Sequence, residues 1–449
     1  MVSSTEKSSE SKIFRLECQP NNYPWGKVGK DSLAGVLASE SAGGDFKLDP
    51  SEPYAELWMG THPHNPAKLW GKDQLLSDYL SKHKELLGEA IKFPARYPDA
   101  KEDKSEGGEG HVPFLFKILT CKQALPLQIH PNREIAEKLH KENPEQFPDT
   151  NHKPEIAVCL SDKFLGFAGF RPSKVIRSLV VAVPEIDQLP SKAKDAIQAF
   201  IASASDSTEV MRKAWQAVIE MEGSEVEAAV KAFSQRVKTQ GVDAFSDVGD
   251  ELDKGERENL VVAAQSLDKY YPGDGSAFAT LFFMNLVELK KGEGMYVGAD
   301  GPHAWLEGEI VELMAASDNV LNVGFTPEKD STSLVARTVS GTPHTPADLK
   351  LKSQSFSKGS KGHTTVYAVP FEEFSILRID GQEVLAPLSG PGIAIVTESK
   401  GTVVAGNEAK SGSVWFVGAG SELVVEGDGV VWMAFYDGDQ ESKGQVGKQ

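Results

Sequence analysis

Short apolar runs separated by Gly, Pro and Asn mark two parts of the chain as β-rich. The first begins at Ile13 with "IFRLECQPNNYPWGKVG" and includes "FLFKILTC" (114–121), a continuous apolar run that is typical of a buried strand. The second includes "TVYAVPFEEFSILRI", "GIAIVTES" and "GVVWMAFYDG" near the C-terminus. Short strands at this spacing favour a barrel or jelly roll. The pattern therefore predicts a mainly β fold built from two β regions.

The stretch between these regions has a different period. Apolar residues recur there every three or four positions, as they do in amphipathic helices. This pattern runs through "SKAKDAIQAFIASA", "TEVMRKAWQAVIEM", "EVEAAVKAFSQRVKTQ" and "GERENLVVAAQSLDKYY". We therefore expect four parts: a disordered tail (1–12), an N-terminal β domain with metal ligands (13–172), an all-helical insertion (173–270), and a second β region (271–449) that completes the metal site and forms a C-terminal barrel.

Charge, apolar runs and cysteine count argue against several classes of protein. The 449 residues carry a formal charge of −18, which argues against nucleic-acid binding because that requires a basic surface. The start lacks the apolar core of a secretory signal, and no uninterrupted apolar run of about 18 residues predicts a membrane span. Three scattered cysteines (Cys18, Cys121, Cys159) form no disulfide framework. We expect a cytoplasmic protein with no membrane or nucleic-acid partner.

A candidate metal site comes from four polar residues far apart in sequence. Gln128 and His130 alternate along "PLQIHPN" and so share one face of a strand. Glu155 follows the proline of "NHKPE", and His303 follows the Gly-rich turn of "GADGPHAWLEGE". Imidazole nitrogen with carboxylate and amide oxygen suits Zn²⁺ with an open coordination position, or Mn²⁺. Since cysteine is absent from this set, the chemistry indicates a catalytic site rather than a structural one.

The other histidines have no separate support as metal ligands. A single histidine is more often a surface residue or a hydrogen-bonded core residue than a metal ligand. We therefore assign no functional role to His62, His64 or His152 from the sequence.

Around these residues the chain resembles the type I mannose-6-phosphate isomerases. The similar blocks occur in the same order between about residues 13 and 335: "YPWGKVGKDS", "PYAELWMGTHP", "VPFLFKILTCKQALPLQIHPN", "NHKPEIAV", "GFRP", "PHAWLEGEIVE" and "SDNV". This resemblance implies two cupin-like (jelly-roll) β-barrel domains with a helical domain between them. It also implies one zinc ion, with ligands that match Gln128, His130, Glu155 and His303.

The same resemblance implies an activity, which is interconversion of mannose 6-phosphate and fructose 6-phosphate through a cis-enediol. Lys153, Glu312 and Asp318 match polar active-site residues of the family, and these are our candidates for catalysis. Trp25, Glu56, Arg171 and Asn322 lie in or beside matched blocks and are our candidates for substrate binding. We expect a monomer whose partner is a small sugar phosphate, acting in carbohydrate metabolism that leads to GDP-mannose.

Four positions depart from the family pattern. Asn322 and Glu328 stand where the family has an arginine and a lysine that serve the phosphate end of the substrate. Pro126 replaces the usual serine and Trp305 the usual tyrosine. A phosphate dianion prefers Arg forks, Lys charge, hydroxyls or helix N-termini, so these changes weaken its expected site.

Nearby cations provide substitutes for the missing phosphate-binding residues. The candidates are Arg133, Lys153, Arg171, Lys329 and Arg337. Our leading hypothesis is a divergent enzyme that recruits some of these. The alternatives are an isomerase for an unphosphorylated or different sugar, and a non-catalytic sugar-binding paralogue.

Overall fold

The computed structural model describes residues 11–44, 46–89, 110–203 and 207–438. The predicted disordered tail (1–12) lies outside these residues except for its last two positions. Mainly β architecture with a helical insertion is confirmed.

Strands occur on both sides of a helical stretch. Those before it are β1 (Ile13–Glu17), β2 (Pro20–Asn21), β3 (Lys27–Val28), β4 (Pro53–Tyr54), β5 (Glu56–Met59), β6 (Lys68–Leu69), β7 (Phe114–Cys121), β8 (Leu127–Ile129), β9 (Glu155–Cys159) and β10 (Lys163–Phe170). Those after it are β11 (Met284–Lys290), β12 (Gly294–Val297), β13 (His303–Ala315), β14 (Leu321–Gly324), β15 (Lys350–Leu351), β16 (Ser353–Ser355), β17 (Thr364–Tyr367), β18 (Ser375–Asp380), β19 (Glu383–Leu385), β20 (Gly392–Val404), β21 (Asn407–Glu408), β22 (Val414–Val417) and β23 (Leu423–Phe435).

Helices cluster in the middle of the chain. The α-helices are α1 (Leu33–Ser41), α2 (Leu76–Lys82), α3 (Arg133–Glu142), α4 (Ser173–Ala182), α5 (Ser191–Ala202), α6 (Thr208–Ile219), α7 (Ser224–Gln240), α8 (Lys254–Tyr270), α9 (Ser276–Phe283) and α10 (Thr332–Thr338). Helices α4 to α9 bury their apolar faces in one core that is centred on aromatic side chains such as Trp215, Phe233 and Phe278. The three- and four-residue spacing of apolar positions in this stretch is therefore explained by packing within the helical layer.

Two large antiparallel sheets hold all of these strands except β3 and β4, which pair with each other. We call the 11-stranded one the site sheet; its main path is β15-β12-β9-β13-β7-β5-β2, with β8, β10, β11 and β14 attached. The 10-stranded C-terminal sheet follows the order β16-β17-β18-β23-β20-β22-β1-β6, with β19 and β21 attached. Neither sheet closes into a full hydrogen-bonded ring within the residues described.

The first strand belongs to the sheet formed mostly by the end of the chain. Ile13 on β1 pairs with Val417 on β22, and Leu16 pairs with both Val414 and Leu69. The two sheets share one apolar core, to which Ile118 and Leu313 contribute from the site sheet. The sheets therefore pack on each other through a continuous interior.

Strand β13 positions most of the polar centre. It pairs with β7 and β9 over its C-terminal half and with β8 and β10 near its start. His303 begins the strand, and Glu312 lies toward its other end. None of the described helices is long and apolar enough to cross a membrane.

Candidate metal centre

Three strands bring the four predicted ligands together. Gln128 on β8 lies opposite His303 in the antiparallel register with β13. Glu155 begins β9, where it pairs with Met314 of β13. His130 directly follows β8. Residues that are distant in sequence therefore meet where β8, β9 and the start of β13 come together.

Glu155 lies between the two imidazoles. Its Oε1 is 3.2 Å from Nε2 of His130, and its Oε2 is 3.3 Å from Nε2 of His303. All three side chains are buried, and each offers a ligand atom within 4.8 Å of the others. The two imidazoles and the carboxylate thus point at one small volume.

Backbone carbonyls set the tautomer of both histidines. Nδ1 of His130 donates to the carbonyl of Asn319 at 2.8 Å, and Nδ1 of His303 donates to that of Gly301 at 3.1 Å. A carbonyl can only accept, so Nδ1 carries a proton in both rings, and a ring in its neutral form has its lone pair on Nε2, which faces Glu155. Metal-ligating histidines are commonly oriented in this way, by donating their other ring N–H to a carbonyl or carboxylate.

The chemistry of His130 fits a divalent ion. Its Nε2 is buried and has no hydrogen-bond partner, although Glu155 is close. Burial, together with the charge of Lys153, lowers the pKa of His130 to about 4, so the ring is neutral at physiological pH. A neutral imidazole with a free, buried lone pair is what a zinc ligand requires. These residues therefore fit a zinc site.

Gln128 is oriented by a second amide. Its Nε2 donates to Oδ1 of Asn322 at 3.4 Å, across the pair formed by β8 and β14. Since the amide nitrogen of Gln128 is engaged in this way, its carbonyl oxygen is left to act as an acceptor or ligand. The structure thus places Asn322 beside a predicted ligand.

A buried cation that we missed from the sequence lies beside this centre. Nζ of Lys117 on β7 is 3.1 Å from Glu312 and 3.4 Å from Glu56. The pKa of Lys117 lies above its ordinary value, because the two carboxylates outweigh the effect of burial. A lysine within the apolar run "FLFKILTC" was the available signal, since a buried lysine needs acidic partners.

Glu312 and Glu56 are each bound by an indole as well. Trp305 Nε1 donates to Glu312, and Trp58 Nε1 donates to Glu56 at 2.6 Å. Burial raises the pKa of Glu312 above its ordinary value despite the charge of Lys117. Lys117 and its two carboxylates form a connected, buried polar group, with a tryptophan donating to each carboxylate.

Asp318 lies in a second polar cluster together with His62. Nothing in the sequence assigned His62 a functional role. Oδ1 of Asp318 is 2.7 Å from Nε2 of His62. Burial opposes ionisation of Asp318, but the hydrogen bond and charge of His62 outweigh it, and the pKa of Asp318 lies below its ordinary value. Asp318 is therefore ionised at neutral pH.

The histidine between the other two members of this cluster has no free ring nitrogen. His62, His64 and Asp318 offer possible metal-binding atoms within 4.8 Å of one another. However, Nδ1 of His62 accepts the backbone N–H of His64 at 3.3 Å, while its Nε2 contacts Asp318. Both ring nitrogens of His62 are engaged, so we interpret the cluster as a hydrogen-bonded support for Asp318.

Asp149 connects the Asp318 and His130 regions. This buried carboxylate accepts hydrogen bonds from the backbone N–H of Asp318 at 2.8 Å, the hydroxyl of Ser317 and the side-chain amide of Asn319. Burial raises the pKa of Asp149 above its ordinary value. The carbonyl of Asn319 then accepts from His130, so one carboxylate holds the turn that orients a predicted ligand.

The remaining candidates are Lys153, Trp25 and Arg171. Lys153 reaches within 4.0 Å of Glu155 Oε1 and is partly buried. The ring of Trp25 stacks on Tyr23 at 4.5 Å, and its Nε1 is buried without a hydrogen-bond partner. Arg171 is also buried, and burial lowers its pKa to about 10.

Four of the proposed substitute cations already lie beside an acid. Lys329 lies 3.3 Å from Asp274, and Arg337 lies 2.9 Å from Glu142. Arg133 lies 2.5 Å from Glu373, and Lys153 lies 4.0 Å from Glu155. Glu328, at the position that departs most in charge from the family, is exposed. Of the five substitutes, Arg133 and Lys153 are the ones carried by the segments that bear His130 and Glu155.

Comparison with known proteins gives a consistent result. A model of the phosphomannose isomerase type I catalytic domain matches residues 13–173. The chain is 35% identical to the mannose-6-phosphate isomerase of Cryptococcus neoformans, over 92% of this chain and 95% of that protein. It is 32% identical to the enzyme of Bos taurus, with 92% and 95% covered.

Solved structures agree at the level of the fold. A mutant phosphomannose isomerase from Salmonella typhimurium superposes with a TM-score of 0.74 at 25% identity, covering 95% of this chain and all of that one. A mannose 6-phosphate isomerase described as the zinc-bound holo form gives a TM-score of 0.73 at 24% identity, with the same coverage. From its similarity along nearly the whole length of curated relatives, the chain belongs to the type I phosphomannose isomerase family.

Proposed function

We propose that the protein is a metal-dependent aldose–ketose isomerase that interconverts mannose 6-phosphate and fructose 6-phosphate. The observation that carries this proposal is the convergence of His130, Glu155 and His303 on one volume, with both imidazoles turned so that Nε2 faces inward. The curated relatives at 31–35% identity are named for this activity, and they match along most of their length.

We propose that one zinc ion is held by Gln128, His130, Glu155 and His303. When bound, the ion supplies Lewis-acid polarisation of sugar oxygens and offsets developing negative charge. The carbonyls of Asn319 and Gly301 and the amide of Asn322 orient the ligands toward it. Mn²⁺ is the other ion that this mixed set of donors suits.

The chemistry needs a group that takes a proton from the carbon next to the carbonyl and returns it to the neighbouring carbon. Asp318 suits this role because it is ionised at neutral pH and its second oxygen has no hydrogen-bond partner among the described residues. His62 holds the first oxygen in place. We therefore propose Asp318 as the base that forms the cis-enediol.

Lys153 and Glu312 complete the proposed catalytic set. Lys153 lies beside Glu155 and can donate a proton or a hydrogen bond to a sugar oxygen near the ligands. Glu312 is engaged by Lys117 and Trp305, so we propose that it acts through charge, by keeping Lys117 protonated next to the site.

Substrate contacts are proposed on the same basis. Trp25 offers a stacked ring and an indole N–H without a partner, which suit the wall of a sugar pocket. Arg171 is retained as a candidate because its Nε is buried without a partner. Glu56 is bound to Lys117, and Asn322 is bound to Gln128. We therefore propose that Glu56 and Asn322 orient other site residues and do not contact the substrate directly.

Localisation, oligomeric state and domain division form part of the same proposal. We propose a cytoplasmic monomer that feeds mannose into GDP-mannose synthesis. We also propose that the chain divides functionally at about residues 172 and 270, with the helical insertion between two cupin-like β regions.

The decisive experiment is a direct assay with mannose 6-phosphate, on protein stripped with chelator and then reloaded with zinc. We expect turnover that disappears with chelator and returns with zinc. Free mannose, tested in parallel, distinguishes an isomerase of unphosphorylated sugar. Exchange of the hydrogen on carbon 2 with solvent distinguishes catalysis from simple binding. No turnover of the phosphosugar by zinc-loaded protein would refute the proposal.

A further inference from the structure

We propose that Glu373 is a positioning residue for the metal centre, supplied by the C-terminal sheet. This inference rests on the proposed function, because it concerns the same site. Glu373 lies between β17 and β18, about two hundred residues beyond the matched catalytic region (13–173). The structure therefore assigns a part in the active site to a segment outside that region.

A single carboxylate oxygen of Glu373 binds two basic side chains. Oε1 lies 2.5 Å from Nη2 of Arg133 and 2.5 Å from Nε2 of His152. Glu373 is only 1% exposed, whereas the Arg133 side chain is 50% exposed. Burying an ionised carboxylate costs free energy unless it is paired with charged or hydrogen-bonding groups. The contacts with Arg133 and His152 offset that cost for Glu373.

The two partners belong to the two segments that carry ligands. Arg133 is the first residue of α3 and follows His130 by three positions. His152 precedes Glu155 by three positions and is adjacent to Lys153. Glu373 thus ties the segment after β8 to the segment before β9, and these two segments bear His130 and Glu155.

The anchor itself is held rigidly. Phe374, next to Glu373, is fully buried in the core shared by the two sheets. Phe371, two residues earlier, packs its ring 6.1 Å from that of Tyr296 on β12. Because its neighbours are fixed in this way, Glu373 can set the distance between the ligand-bearing segments rather than follow them.

The charge of Glu373 matters to this arrangement. Burial opposes its ionisation, but His152 and Arg133 outweigh burial and hold the pKa of Glu373 below its ordinary value. An ionised carboxylate attracts both partners at once. A neutral amide oxygen at the same place could accept from both partners, but each hydrogen bond would be weaker because the acceptor carries no charge.

The test compares Glu373→Gln with Glu383→Gln. Glu383 is a matched control, because it is also a buried carboxylate and begins β19 of the C-terminal sheet. It binds backbone N–H groups of Lys361 and His363 instead of the metal-site segments. For each full-length variant we would measure zinc affinity by chelator competition, the melting temperature, and kcat and KM at saturating zinc.

We expect Glu373→Gln to weaken zinc binding by about tenfold, as for other groups that orient metal ligands. At saturating zinc its kcat falls while KM is unchanged, because the reacting groups and not the sugar contacts are displaced. Glu373→Asp, which keeps the charge, restores part of both losses. Glu383→Gln lowers only the melting temperature.

Two results would overturn the inference. One is unchanged zinc affinity and kcat in Glu373→Gln; the other is an equal loss of zinc affinity in Glu383→Gln, which would indicate general destabilisation. If wild-type protein binds zinc but does not isomerise mannose 6-phosphate, the proposed function fails. The zinc titrations of the variants then still decide the role of Glu373.

Discussion

The backbone carbonyl of Asn319 accepts a 2.8 Å hydrogen bond from Nδ1 of His130. This contact fixes which nitrogen of the imidazole carries the proton and leaves Nε2 facing Glu155. Asn319 is itself held by Asp149, through its side-chain amide. The geometry of a predicted ligand therefore depends on a carboxylate that never touches it.

Replacement of Asp149 tests this dependence. In Asp149→Asn, one carboxylate oxygen becomes a donor that faces other donors, such as the N–H of Asp318. Leaving buried donors unsatisfied costs about 1–3 kcal/mol, so we expect the free energy of unfolding in urea to fall by that amount. We also expect weaker zinc binding. Asp162→Asn, on the surface, is the control and should change neither quantity; unchanged stability in Asp149→Asn would contradict the interpretation.

Glu155→Gln tests the ligand set directly. The amide is neutral and places only one acceptor between His130 and His303, where the carboxylate places two. We expect protein that retains no zinc after gel filtration, and a fall in kcat/KM of more than about 100-fold, because loss of an orienting group alone costs 10–100-fold. Glu134→Gln on α3 is an exposed control. Full zinc content in Glu155→Gln would exclude Glu155 as a ligand.

Lys117→Met would leave Glu312 and Glu56 buried without their cation. Removing one partner of a buried ion pair costs about 3–5 kcal/mol, and we expect a loss of stability in that range. Lys122→Met, a nearby and less buried lysine, should cost much less.

The same variant has a predictable pH dependence. The pKa of Glu312 is raised in the folded protein, so its stabilising contribution is complete below its ordinary pKa and is lost as the pH rises through the folded value. Without Lys117 that pKa rises further. We therefore expect the destabilisation of Lys117→Met to be larger at about pH 8 than at about pH 5. The opposite trend, measured by denaturant unfolding, would show that Glu312 is not the group left unpaired.

Asn322→Ala distinguishes support of a ligand from contact with substrate. The variant loses the oxygen that accepts from Gln128 at 3.4 Å. Because this bond is long, we expect a loss of zinc affinity smaller than that of Glu155→Gln, with KM for mannose 6-phosphate unchanged. A raised KM with normal zinc affinity would instead place Asn322 at the substrate. Glu328→Gln, whose side chain is exposed, is the matched control.

Site residues that are marked by a local pattern or a matched block can be predicted from the sequence. Contacts between residues far apart in the chain cannot. Alternation along β8 places Gln128 and His130 on one face, and the order of similar blocks identifies Glu155 and His303. The contact between His62 and Asp318, by contrast, joins positions 256 residues apart and has no periodic signal. Glu373 lies in a region without a matched motif, so only the packing of one sheet on the other reveals its contacts.

Fold class followed from the same local signals. The change from short apolar runs to three- and four-residue spacing marked the helical stretch, because each period reflects how one element buries one face. Which strands pair is not encoded in such periods. The placement of β1 in the C-terminal sheet is decided by partners four hundred residues away and could not be predicted from its own sequence.

That pairing has a consequence for how the protein is made. During translation β1 leaves the ribosome long before β22. The two strands are paired in the folded protein, where Leu16 lies opposite Val414. The C-terminal sheet therefore cannot be completed until late in translation. β1 can pair with β6 on one edge from an early stage, but its other edge has no partner until β22 emerges. Contacts of such high sequence separation slow folding and leave a strand edge open to aggregation in the interval.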